Sequence, residues 1–158
     1  RPGALPPGKT LYMDLDNVVC GPLDTMLDLT PAPLIMLRDD NLYEQKREHW
    51  GNGSAMLFYA DALGYVWDSY RGNPQGVQKI YAKWPKASDQ AFIQTCVEQY
   101  TVRPIRYFQD ALPKDFCLSS RLDIERGRPY DTASLVYGGY IPKPHESTQR
   151  FYTEHWRT

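Results

Sequence analysis

LYMDLDNVV, residues Leu11 to Val19, sets two aspartates two residues apart within an apolar run. In a strand, residues i and i+2 share a face, so where this run gives way to loop Asp14 and Asp16 present both carboxylates to one side. Two like charges at that spacing repel, and a divalent cation between them relieves the repulsion and supplies a Lewis acid. Leu11, Tyr12 and Met13 before the acids, with Val18 and Val19 after them, read as a largely buried strand. Open α/β sheets place their ligands at the C-terminal ends of such strands. A solvated pair of strand-to-loop acids fits the same three residues.

At 158 residues the chain suits one domain, long enough to bury a core. A formal net charge of -1 and a pI near 6.3 supply no basic surface, so no nucleic-acid partner is expected. Aromatic residues make up 13%, with 12 Tyr and 4 Trp, which suits a packed core or a stacking surface for flat or sugar ligands. Cys20, Cys96 and Cys117 are far apart and odd in number, with no zinc spacing and no complete disulfide framework. They point to a reducing compartment, the cytoplasm. No apolar run approaches the ~20 residues of a membrane span, and no signal peptide is visible. A start at Arg1 without methionine is what a processed or excised piece would show.

Residues 1–9 read as an irregular, Pro- and Gly-rich lead-in. Leu23 to Leu29 reads as a short helix, and Leu34 to Leu37 as a second buried strand. Asn41 to His49 reads as an exposed loop or helix. A turn at Trp50-Gly51-Asn52-Gly53 leads into a strand from Ser54 to Tyr59. Asp61 is the expected cap of a helix that ends near Gly72, its apolar side made of Leu63, Val66, Trp67 and Tyr70. A polar connection anchored by Ile80, Tyr81 and Trp84 follows. Ser88 to Tyr100 is an amphipathic helix, N-capped by Ser88, with Ala91, Phe92, Cys96 and Val97 on its apolar side. Short strands are expected at Ile105 to Phe108, Phe116 to Ser119 and Ser134 to Tyr137, which makes a mixed α/β fold with no internal repeat.

Taken in order, LYMDLDNVV, GPLDTMLDL, WGNGSAMLF, SDQAFI, LPKDFCLSS and LVYGGYIPKPHE resemble the sugar-nucleotide transferases of the GT-A fold, over about Thr10 to Glu146. The resemblance implies a Rossmann-related mixed sheet flanked by helices, and a metal-dependent glycosyltransferase. Its substrates would be a nucleotide-diphosphate sugar donor, a UDP-sugar first among them, and a glycan or other hydroxyl acceptor. Asp14 and Asp16 match the motif that holds Mn²⁺ or Mg²⁺ against the donor diphosphate, offsetting charge on the leaving group. Asn52 and Ser54 match sugar-contacting positions. Asp89 and Gln90 match the Asp-Gln pair, in which Asp89 hydrogen-bonds a sugar hydroxyl or faces the anomeric carbon, the catalytic position. Each has a plainer use. Asn52 suits a turn with positive φ, Ser54 a strand start, and Asp89 the first turn of a helix.

Two departures from the family pattern stand out. Gly138 occupies the place of a metal-binding histidine, so the metal has either carboxylate and phosphate ligands alone or His145 as a substitute from a shifted position, while Lys143 keeps the place of a phosphate contact. Only ten residues precede Leu11, so the resemblance implies a partial domain without most of the nucleoside-binding half, a nucleoside held elsewhere, or a domain that has lost donor binding. Two alternatives compete. One is a haloacid-dehalogenase-like phosphatase with Asp14 as nucleophile and Asp16 as general acid/base, which would press Asp123 and Glu125 into service for magnesium. The other is a non-catalytic GT-A-like binding or scaffold domain.

Overall fold

The apolar run Leu11 to Val19 forms two strands. The computed structural model describes residues 5–31, 33–39, 51–82, 88–124, 126–138 and 150–155. Strand β1 (Lys9–Met13) stops one residue before Asp14, and β2 (Val18–Val19) begins after Asn17. Between them the Asn17 N–H donates to the Asp14 carbonyl at 3.2 Å, closing a turn with Leu15 and Asp16 at its centre. Asp at the first turn position favours that local closure over continued strand. None of β1's five residues is fully buried, because β1 is an outer strand of its sheet. The expected buried strand with both acids on one face is thus corrected to an outer strand followed by a turn that carries them.

Among the described residues the chain continues through α1 (Asp24–Asp28), β3 (Leu34–Arg38), β4 (Gly51–Tyr59), α2 (Gly64–Gly72), α3 (Pro74–Tyr81), α4 (Asp89–Tyr100) and β5 (Arg106–Tyr107). Then come α5 (Phe108–Ala111), β6 (Cys117–Ser119), a π-helical turn (Ser120–Ile124), β7 (Leu135–Tyr137) and α6 (Arg150–His155). The contacts group the chain into two compact units. The first comprises Arg1–Tyr12 and Thr30–Tyr107, the second Met13–Leu29 and Phe108–Thr158. The fold is mixed α/β, with one mixed sheet in each unit.

The first unit's sheet runs β1-β4-β3-β5, with β3 antiparallel to β4 and parallel to β5. Four successive residues of β3, Leu34 to Leu37, are buried, as expected for a strand covered on both faces. Leu34 and Met36 pack with Val97 of α4 and with Ile105 to form the core. Helix α2 starts at Gly64, its N-cap is Leu63, and no side chain caps it. Asp61 sits earlier, in the preceding turn, so its expected capping role is not found. The polar connection after Gly72 is a helix, α3. Asn73 Oδ1 accepts from the Gly76 N–H at 3.0 Å and Pro74 occupies the first turn, a cap-and-proline start that offsets a polar sequence. Ser88 caps α4 as expected, accepting from the Ala91 N–H at 3.1 Å.

The second unit's sheet runs β2-β7-β6, antiparallel at β2/β7 and parallel at β6/β7. Val18, Leu118, Ala133, Val136 and Tyr152 form its core, and α6 packs on β2. Residues 41–49 and Trp84 lie outside the described residues.

Candidate active site

The second unit carries the two acids of the opening motif. Leu15 is 92% exposed, which places the tip of the turn at the surface, while Asp14 and Asp16 on either side of it are half-buried. Carboxylates are hard oxygen donors of the kind Mg²⁺ and Mn²⁺ take, so these residues fit the expected ion. No third His, Cys, Asp or Glu joins them in a ligand cluster among the described residues. A cation held here would complete its shell with oxygens of its substrate or water. Lys143, His145 and Glu125 lie outside the described residues.

Gly138 has a physical reason to be glycine. Its φ is +106°, and a Cβ there would come within 3.2 Å of Ser120 Oγ. That hydroxyl donates to the Gly138 carbonyl at 2.7 Å, so side chain and backbone are locked together in a buried corner. Asp123, in the π-helical turn, accepts from the Ser119 N–H through Oδ2 at 2.8 Å and from Arg128 Nη1 through Oδ1 at 2.7 Å. Arg128 also reaches Asp115. Both Asp123 oxygens therefore brace the segment after β6.

The first unit carries the sugar-facing candidates. Met36 pairs with Met56, but the next residue, Leu37, pairs with Asn52. Gly53, Ser54 and Ala55 are thus looped out of the β3/β4 ladder as a bulge, a device that re-aims side chains and recurs beside active sites. Asn52 Oδ1 accepts from the Ser54 N–H at 2.8 Å, making a local side-chain turn inside the bulge. Two glutamines one turn apart on α4 hold the rest. Gln90 Oε1 accepts from the Gly53 N–H at 2.9 Å, and Gln94 Oε1 from the Gly51 N–H at 3.0 Å. The approach is close enough to need glycine, since a Cβ on Gly51 would lie 2.5 Å from Met36 Sδ. Asn52, Ser54 and Gln90 are therefore brought together, with the Gln90 carboxamide oxygen already committed to the bulge and its Nε2 left as the donor end.

Asp89 is the first residue of α4, exposed, its Oδ1 accepting from the Gln90 N–H at 2.9 Å. It also lines a hollow of about 560 Å³ in the same unit, beside Met56, Phe58, Trp67 and Phe92. The thiols are no rivals for a catalytic role. Burial pushes Cys117 up to about 12 and Cys20 up to about 11, and raises Cys96, so all three stay protonated and weakly nucleophilic near neutrality.

The chain matches no protein-family model, no curated protein and no solved structure at a significant level. Three features escaped the sequence reading: the bulge, its clamp by Gln94, and the hollow. A pair of glutamines at i and i+4 on a helix that follows a Gly-Asn-Gly-Ser segment was the available signal for the clamp. The hollow had none, because Trp67, Tyr70 and Phe92 read equally well as core.

Proposed function

We propose that this chain is a GT-A-like glycosyltransferase domain, moving a sugar from a nucleotide-diphosphate donor, a UDP-sugar, to a hydroxyl of a glycan or other acceptor. The observation that carries the reading is the placing of Asp14 and Asp16 on one surface turn directly after the C-terminal end of β1. Mn²⁺ or Mg²⁺, when bound, would stabilise the charge that grows on the departing diphosphate. Asp14 and Asp16 would hold it, and the resemblance makes Lys143 the phosphate contact. In the first unit, taken by itself, Asn52, Ser54 and Gln90 would orient sugar hydroxyls, and Asp89 would accept a hydrogen bond from the hydroxyl that attacks. Catalysis then rests on leaving-group stabilisation and on orientation. The phosphatase alternative has less support, because the Asp123 oxygens it would turn to magnesium are engaged with Ser119 and Arg128.

Calorimetric titration with UDP and with GDP, each with and without Mn²⁺, tests the proposal. Binding of at least one nucleotide only with the metal is expected. Asp16→Asn should abolish that binding with little change in the circular dichroism, since it keeps the side chain's size and removes one of two like charges. Nucleotide binding that ignores both the metal and the substitution, or no binding at all, would overturn the reading.

A further inference from the structure

Asp89 stands at the edge of the 560 Å³ hollow, and the rest of the lining limits what can enter. The volume lies within the roughly 300–1,000 Å³ of small-molecule sites. Four rings line it: Phe58, Trp67, Tyr70 and Phe92. Trp67 and Tyr70 lie 5.9 Å apart between centroids, and Tyr70 meets Phe92 edge-on at 6.5 Å, so the wall is braced by its own aromatic contacts. The charged residues of the lining are Asp61 and Asp89, both exposed and both carboxylates, and no lysine, arginine or histidine accompanies them among the described residues. A phosphate or carboxylate ligand would meet only like charge here, whereas a hydroxyl would find two acceptors beside an apolar wall.

We infer that the hollow binds an uncharged ligand with an apolar ring and hydroxyl groups, an aryl glycoside or aryl alcohol. The ring lies against the aromatic wall and the hydroxyls face Asp61 and Asp89. Resting on the transferase reading, this ligand is the acceptor: the hydroxyl that receives the sugar sits next to an aromatic group, and Asp89, which lines the hollow, is the residue that reading gives to the attacking hydroxyl.

The test is calorimetric titration of the whole chain with phenyl β-D-glucopyranoside, methyl β-D-glucopyranoside and phenyl phosphate, without metal or nucleotide. The phenyl glucoside should bind at least tenfold more tightly than the methyl glucoside, and phenyl phosphate should not bind measurably. Val66→Trp, which fills the hollow from a lining position, should remove phenyl glucoside binding. If that variant does not fold, Asp61→Lys at the exposed rim serves instead, and it should admit phenyl phosphate. Equal binding of the two glucosides, binding of neither, phenyl phosphate binding to the unaltered chain, or a Val66→Trp chain that still takes the phenyl glucoside would overturn the inference. The Mn²⁺ and UDP titration run alongside separates the two ideas. Phenyl glucoside binding without nucleotide binding upholds the hollow and overturns the acceptor assignment, and nucleotide binding without phenyl glucoside binding overturns the hollow alone.

Discussion

Gln94 is 2% exposed and makes good use of both ends of its amide. Its oxygen accepts from the Gly51 N–H at 3.0 Å, and its nitrogen donates to Glu98 Oε1 at 2.8 Å, one turn further along α4. A buried backbone N–H left without an acceptor costs roughly 1–3 kcal/mol. Gln94→Ala removes that acceptor and opens space behind the bulge, so the urea midpoint should fall by an amount worth about 2 kcal/mol or more. A change within a few tenths of a kcal/mol would mean that water satisfies the Gly51 amide just as well. The polar letter at this position was visible in the sequence, but its partner lies 43 residues away on another element, and no local pattern announces such a pairing.

At the scale of elements, the junction of α2 and α3 depends on one residue. Asn73 ends the first helix, its N–H donating to the Tyr70 carbonyl at 3.2 Å, and starts the second through its side chain. Gly76 permits this, since a Cβ there would fall 2.2 Å from Asn73 Nδ2. Asn73→Ala should lower stability by about 1 kcal/mol and reduce helical ellipticity, while Asn73→Asp, which keeps an accepting oxygen, should restore most of both. Elements with strong local signals were legible. Ser88 announced α4, and the unbroken apolar run Leu34 to Leu37 announced β3. The Asn-Pro start of α3 was equally present but was outweighed by the polar residues that follow. LYMDLDNVV misled for the opposite reason: its apolar residues suggested one strand, while the Asp14-to-Asn17 turn, a local hydrogen bond, divides it.

Over the whole molecule, the three thiols set a limit on alkaline stability. Each is pushed above the ordinary value of 9.0 by burial, Cys117 to about 12 and Cys20 to about 11, with Cys96 raised as well. The folded chain therefore keeps protons that the unfolded chain loses above pH 9. Their stabilising contribution is intact below pH 9 and is lost as pH rises towards the folded values. Within that window a fully buried thiol such as Cys117 costs about 1.4 kcal/mol per pH unit. Melting temperature should decline steadily from pH 9 to 11, and Cys117→Val should flatten the decline. A flat profile in the unaltered chain would show that the thiols ionise without unfolding. Grouping into two units was beyond sequence reading, because each unit draws on separated segments and the chain changes unit after Tyr12, Leu29 and Tyr107. The candidate acids were legible as a motif, but whether they stood on strand or turn was not.

The glutamine clamp also bears on the thermodynamics of recognition. Asn52 and Ser54 stand on a segment whose flanking amides are tied to a twelve-residue helix, where an ordinary surface loop would sample many shapes. A sugar meeting them would not have to freeze a wandering backbone first, which in a free loop takes about 1–2 kcal/mol for each residue ordered. Weak hydroxyl contacts would then be retained as net affinity, and selectivity would come from a template whose shape exists before the ligand arrives.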